Sequence, residues 1–178
     1  VQNGTDSALK YLSKFSKLMR LTLEYSKGAL IPIDKEVESL QNYLELEQLR
    51  FHNKFDFSIK SSNKVEFNMG LPPLLIQPFV ENAILHGVVP KEENGKIEVN
   101  FDVQNNQLIC SIKDDGIGMS KSKEMKENSV TAHQSMALQI TKKRLEIMEA
   151  TISKSAQIEI IEKNGTEVIL RLPIQYIK

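Results

Sequence analysis

The sequence is short of several features that commonly announce a function. It holds one cysteine, so no internal disulfide can form, and no Cys/His cluster has zinc spacing. Cys110 alternates with Leu108 and Ile112 and reads as a small buried hydrophobe on a strand, which fits a reducing compartment. Twenty-three basic side chains are balanced by 23 acidic ones, leaving no surplus to neutralise phosphates, and nucleic acid is not expected as a partner. No run of about 18 apolar residues occurs, and the N-terminus lacks the charged-then-apolar order of a signal peptide. The stretch is therefore expected to be soluble. A start at Val1 rather than methionine suggests a trimmed chain and leaves room for a membrane segment upstream. No internal repeat is visible. What is present, 178 residues at 40% hydrophobic and 26% charged, suits one ordinary domain plus an appendage.

Along the chain, Leu9, Leu12, Phe15, Met19 and Leu23 recur at three- and four-residue steps from about Asp6 to Lys27, which predicts an amphipathic helix. Gly28 ends it. Asp34 reads as the N-cap of a second helix running to about Phe51, in which Ile33, Val37, Leu40 and Leu44 keep a heptad rhythm. Residues 1–52 thus read as a helical hairpin. Its apolar stripe needs a partner, either a second copy in a four-helix dimer, the favoured reading, or this chain's own core. From residue 53 the texture changes. Phe55, Phe57 and Ile59 alternate as a strand, and Pro72 and Pro73 are expected to open a helix through Gln77–His86. Ile97 to Val103 and Leu108 to Ile112 form a hairpin, 119–134 a polar loop, 135–150 a helix, and 158–172 a last hairpin turning at Asn164-Gly165. Strands able to pair antiparallel, with two helices for one face, predict an α+β fold: a two-layer α/β sandwich over 53–178.

Two stretches carry chemistry. On the helix, Asn82 and His86 lie four residues apart beside the apolar Phe79, Val80, Ala83 and Ile84, so they are expected to share a face. Asn82 can offer its carbonyl oxygen to magnesium, and His86 can pack on or bond to a base or phosphate. Taken singly, the Asn also reads as a solvated or capping residue and the His as a backbone partner. The second stretch, Asp114-Asp115-Gly116-Ile117-Gly118, ends an apolar strand. Its glycines allow close approach and positive φ, and Asp114 can accept a hydrogen bond from an exocyclic amine. Alone, such a stretch also describes many surface β-turns.

Together, Gln77-Pro78-Phe79-Val80-Glu81-Asn82-Ala83-Ile84 with His86-Gly87, then Asp114-x-Gly116-Ile117-Gly118, Thr141-Lys142-Lys143-Arg144-Leu145 and Asn164-Gly165-Thr166-Glu167-Val168, resemble the sensor histidine kinases of the LytS/YehU type. Those belong to the wider gyrase, Hsp90, histidine kinase and MutL ATPase superfamily. Tyr11 to Arg20 and Tyr43 to Phe51 look like that family's segment after its phosphoacceptor histidine. The resemblance implies a Bergerat-type ATP-binding fold, with Mg2+ on Asn82 and the adenine amine on Asp114. Gly116 and Gly118 would shape the nucleotide wall, with Thr166 nearby and residues 119–134 as the lid. It also implies a homodimer, a response regulator as partner, and a cytoplasmic part of an inner-membrane sensor. Glu81 stands open between a catalytic base and a rim residue, since a helix turns it about 100° from Asn82.

Two departures stand out. The family's glycines at the lid-to-helix junction are replaced by Ser135-Met136-Ala137-Leu138, where Ser135 can cap and Ala137 adds only a methyl group, so phosphate binding there is expected to be weakened. No phosphoacceptor motif is present, and His52, His86 and His133 all have other settings. The chain is therefore expected to bind Mg-ATP and to phosphorylate a supplied histidine, but not itself. A nucleotide-sensing scaffold without catalysis is the alternative. An ATP-hydrolysing clamp is disfavoured because its pocket glutamate would fall at Pro78.

Overall fold

The computed structural model describes residues 2–25, 28–118, 143, 146 and 156–177. The expected lid at 119–134, the helix expected over 135–150 apart from residues 143 and 146, and Ser135 and Ala137 lie outside the described residues.

Two long helices come first, α1 (Gln2–Tyr25) and α2 (Ile33–Arg50), separated by the two-residue strand β1 (Ile31–Pro32). Helix α2 starts one residue before the expected cap. Pro32 occupies the N-cap position, and Asp34 sits with Glu36 in the first turn, where a carboxylate complements the helix dipole. Then follow β2 (Phe55–Ser61), β3 (Met69–Leu71), α3 (Gln77–Asn82), a π-helical turn (Ala83–Val88), β4 (Gly95–Gln104), β5 (Gln107–Asp114), β6 (Gln157–Glu162), β7 (Thr166–Pro173) and β8 (Gln175–Tyr176). Pro72 and Pro73 precede the helix rather than opening it, and Pro78 takes the position where a missing N–H costs nothing.

The main sheet has the order β2-β4-β5-β7-β6. Its last three neighbour pairs are antiparallel, as alternation suggested, but β2 runs parallel to β4, with Phe55 beside Gly95 and Ser61 beside Phe101. The antiparallel expectation for this strand is thereby corrected. The segment joining β2 to β4 contains α3, and such a crossover places strands parallel where a tight turn would place them antiparallel. A small sheet of order β1-β3-β8 is made of strands of two or three residues, too short to show any alternation in sequence.

Pleating with a period of two decides what the sheet buries. Ile97, Val99 and Phe101 of β4, Leu108, Cys110 and Ile112 of β5, and Val168, Leu170 and Leu172 of β7 are buried. Phe79 and Val80 of α3 and Ala83 and Ile84 of the π-helical turn meet them in one core. That core crosses residue 52, because Ile33, Leu40 and Leu44 of α2 belong to it. Helix α1 is attached differently. Leu18 and Leu21 are buried, and Lys14–Glu45 and Lys17–Glu38 ion pairs run between α1 and α2. Its stripe of Leu9, Leu12, Phe15, Met19 and Leu23 stays 45–61% exposed. Among the described residues, no helix is long and apolar enough to cross a membrane.

The shared core makes a prediction about α2. Leu44→Ala should cost about 2–5 kcal/mol of unfolding free energy, as for a fully buried leucine, while Leu12→Ala on the outer stripe should change it by about 0.5 kcal/mol or less. Denaturant unfolding followed by circular dichroism checks both values. Similar costs for the two would detach α2 from the core.

Candidate functional site

The site forms where the end of β5 meets the end of the pocket helix. Asp114 continues the core-facing row of Leu108, Cys110 and Ile112, so the pleat points it inward and leaves it 4% exposed. Its Oδ1 accepts the Gly116 N–H at 2.9 Å and the Thr166 N–H at 3.4 Å. Thr166 opens β7 and lies directly across from Asp114 in the sheet register. Burial pushes the Asp114 carboxyl up to about 6, partly opposed by the two N–H donors, with Asp115 pushing it further up.

The helix reaches this carboxylate through Gly87. A Cβ on Gly87 would stand 2.6 Å from Asp114 Oδ1, and one on Gly116 would stand 2.2 Å from the Gly87 carbonyl carbon. Neither glycine has positive φ, so both serve close approach. The Ile117 N–H donates to the Gly87 carbonyl at 3.2 Å, bonding turn to helix. Gly118, by contrast, does take positive φ, at 79°. Gly165 needs both freedoms. It has φ 116°, and a Cβ there would lie 2.0 Å from the Asp114 carbonyl oxygen.

Asn82 and His86 are both half-buried on this helix. The turns widen after Asn82. The Val89 N–H bonds to the Ile84 carbonyl, five residues back, so four residues from Asn82 to His86 fall short of a full turn. Gly87, which meets Asp114, lies within this wider turn. Glu81 is exposed, and its charge reaches α2: burial first, then Glu47 and Glu81, raise the Tyr43 hydroxyl. Burial likewise raises Glu47, against the Arg50 guanidinium 3.3 Å away, with Glu81 adding to the rise. Among the described residues no group of three or more His, Cys, Asp or Glu could hold a metal. A cation here would take few protein ligands, as magnesium does when waters and phosphate oxygens fill its shell, and a lone Asn82 carbonyl suits that arrangement.

The structure thus brings Asp114, Gly116 and Thr166 together and sets Gly118 two residues on. Sequence reasoning did not single out Gly87 or Gly165 as site residues. A glycine inside a helical pattern is the signal that could have found Gly87.

The fold agrees with that of known proteins. Residues 73–176 match the family described as histidine kinase-, DNA gyrase B-, and HSP90-like ATPase, and residues 1–55 match the histidine kinase family. The chain belongs to this ATPase family. More particularly, it is similar to LytS sensor proteins: it is 26% identical over 178 residues to the sensor protein LytS of Enterococcus faecalis, across 98% of this chain and 30% of that protein. The chain therefore spans less than a third of that relative's length. Among solved structures, the histidine kinase domain of the Erythrobacter litoralis EL346 blue-light activated histidine kinase superposes with TM-score 0.56 at 15% identity, over 96% of this chain and 82% of that one. Histidine kinase ThkA in complex with response regulator protein TrrA gives TM-score 0.54 at 16% identity, over 94% of this chain and 49% of that one. These likenesses bear out the expected α+β sandwich.

The raised carboxyl has a thermodynamic consequence. Asp114 stabilises the fold fully below its unfolded value of about 4 and loses that contribution as pH rises through about 6. Asp114→Asn keeps an acceptor without the charge. Relative to wild type it should be nearly neutral at pH 4 and more stable above pH 7, by up to about 3 kcal/mol, in denaturant unfolding without nucleotide. Equal stability of the two chains at both pH values would contradict the buried-charge account.

Proposed function

We propose that this chain is the ATP-binding, phosphoryl-transferring part of a two-component sensor histidine kinase. The observation that carries the proposal is the buried Asp114 carboxylate, held by the Gly116 and Thr166 amides and pressed against Gly87. A fixed acceptor at the edge of a core is what recognition of an adenine amine requires. In this reading Gly116 and Gly118 form the wall against which the flat base lies. Thr166 sits beside the base, and His86 contacts base or phosphate from the helix.

Asn82 holds Mg2+ together with phosphate oxygens and waters, and the ion supplies charge neutralisation during transfer. Phosphoryl transfer depends mainly on positioning and charge, so a site with few acid-base groups is adequate to it. Glu81 is assigned to the rim, since its charge acts toward Tyr43 and Glu47 of α2. Ser135 and Ala137 are assigned to the phosphates at the start of the helix expected over 135–150. The γ-phosphoryl group goes to a histidine upstream of Val1 and then to an aspartate of a response regulator. The exposed stripe of α1 packs in a homodimer, residues 1–52 forming part of the dimerisation region and 53–178 the catalytic domain. The whole protein is a membrane-anchored sensor whose catalytic part lies in the cytoplasm.

Adding an upstream segment with a phosphoacceptor histidine and incubating with γ-labelled Mg-ATP tests the transfer. Acid-labile, base-stable label on that histidine is expected; Mg-ATP binding without label would overturn the kinase assignment. In equilibrium titrations, Asn82→Ala should lose the magnesium dependence of nucleotide binding, and Asp114→Ala should lose the preference for ATP over GTP. Wild-type affinities in both variants would remove the pocket assignment.

A further inference from the structure

Asp115, next to the buried aspartate, faces outward and yet is bound on three sides. Its Oδ1 accepts the Lys96 N–H at 2.6 Å, and its own N–H donates to the Lys96 carbonyl at 3.2 Å. Its Oδ2 meets the Lys91 ammonium at 3.0 Å. The β4–β5 pairing ends with Ile97 opposite Asp114, and the two bonds to Lys96 extend it by one residue before the side chain takes over from the backbone. Lys91 belongs to the 90–94 segment that leaves the π-helical turn, with its own N–H on the Val88 carbonyl at 3.2 Å. That segment is itself held, by Lys54 Nζ on the Glu92 carbonyl at 2.7 Å and by the Gly95 N–H on the Lys54 carbonyl at 3.1 Å.

Asp115 therefore joins the start of β4, the chain leaving the pocket helix, and the glycine turn. The peptide that follows it carries the Gly116 N–H that Asp114 accepts, so the position of residue 115 sets where that N–H points. The contacts differ in weight. A carboxylate accepting a backbone N–H at 2.6 Å is charge-assisted and short, whereas the Lys91 pair is exposed and contributes little.

We propose that Asp115 is a positioning residue of the nucleotide site, clasping Lys96 so that the Asp114–Gly116 turn presents its acceptor to adenine in one orientation. The inference rests on reading the site as an ATP pocket. Asp115 touches neither base nor phosphate and acts through Asp114. A mere brace would affect stability and every nucleotide alike, while a positioning residue affects adenine selectively.

The test combines Mg-ATP and Mg-GTP titrations of the 178-residue chain with amide hydrogen exchange in the absence of nucleotide. Asp115→Ala is expected to weaken ATP about tenfold, to leave GTP within about twofold, and to speed exchange at Gly116 and Thr166 while Val99 and Ile112 keep their protection. Asp115→Asn keeps an acceptor for the Lys96 N–H and should restore ATP affinity to within about threefold, and Lys91→Met should change it by no more than about twofold. Unchanged ATP affinity in Asp115→Ala overturns the proposal. So does an equal loss of ATP and GTP with a lowered melting temperature and no rescue by asparagine. Failure of the wild-type chain to bind either nucleotide, with exchange still accelerated in Asp115→Ala, supports the clasp and overturns the pocket reading. Unchanged exchange at Gly116 and Thr166 overturns the clasp whatever the nucleotides do.

Discussion

The contact between Gly87 and Gly116 is the constraint on which the site depends. Backbone meets backbone there with no room for a side chain on either partner, and the Ile117 N–H reaches the Gly87 carbonyl across the same seam. Because the two chains approach so closely, the end of the helix seals the Asp114 carboxylate from water on one side. Desolvation then raises that carboxyl toward neutrality. A buried carboxylate disfavoured by desolvation in this way is common at functional sites.

The π-helical turn serves this contact. A regular helix continuing past Asn82 would rotate Gly87 by a different amount. Widened turns of this kind are rare and frequently found at functional positions. Here the turn lies in a segment whose other side, Val80, Ala83, Ile84 and Val88, is buried in the core.

Much of this was legible in the residues. The alternation in β4, β5 and β7 marked the core face, and the same period carried on to Asp114 marks it as buried. The apolar positions of the pocket helix and the Asn164-Gly165 hairpin turn also read directly, the latter confirmed by positive φ at both residues. Three things did not. The parallel pairing of β2 depends on where a distant segment returns, which no local pattern encodes. The small sheet uses strands too short for periodicity. The π-helical turn leaves no composition signal, since Ala83 to Val88 suit an ordinary helix equally well. For the site, residue types pointed to Asp114 and Gly116. The reason for each glycine, close approach at 116 against positive φ at 118, appeared only with the backbone in place.

The parallel pair β2–β4 has a consequence for how the molecule is assembled. Since α3 and the π-helical turn lie within the crossover, the strand pair and the Gly87–Gly116 seam depend on the same long stretch of chain, with Ser58 beside Glu98 some forty residues later. Such a pairing has high contact order and must meet the loop-closure entropy before its contacts are gained, whereas the hairpins β4–β5 and β6–β7 close locally. In the kinetics of folding, the two sides of the Gly87–Gly116 seam have different histories: the glycine turn rides on a local hairpin, whereas the helix that faces it lies in a connection that closes over some forty residues, and the β5–β7 pairing that sets Thr166 across from Asp114 closes over more than fifty.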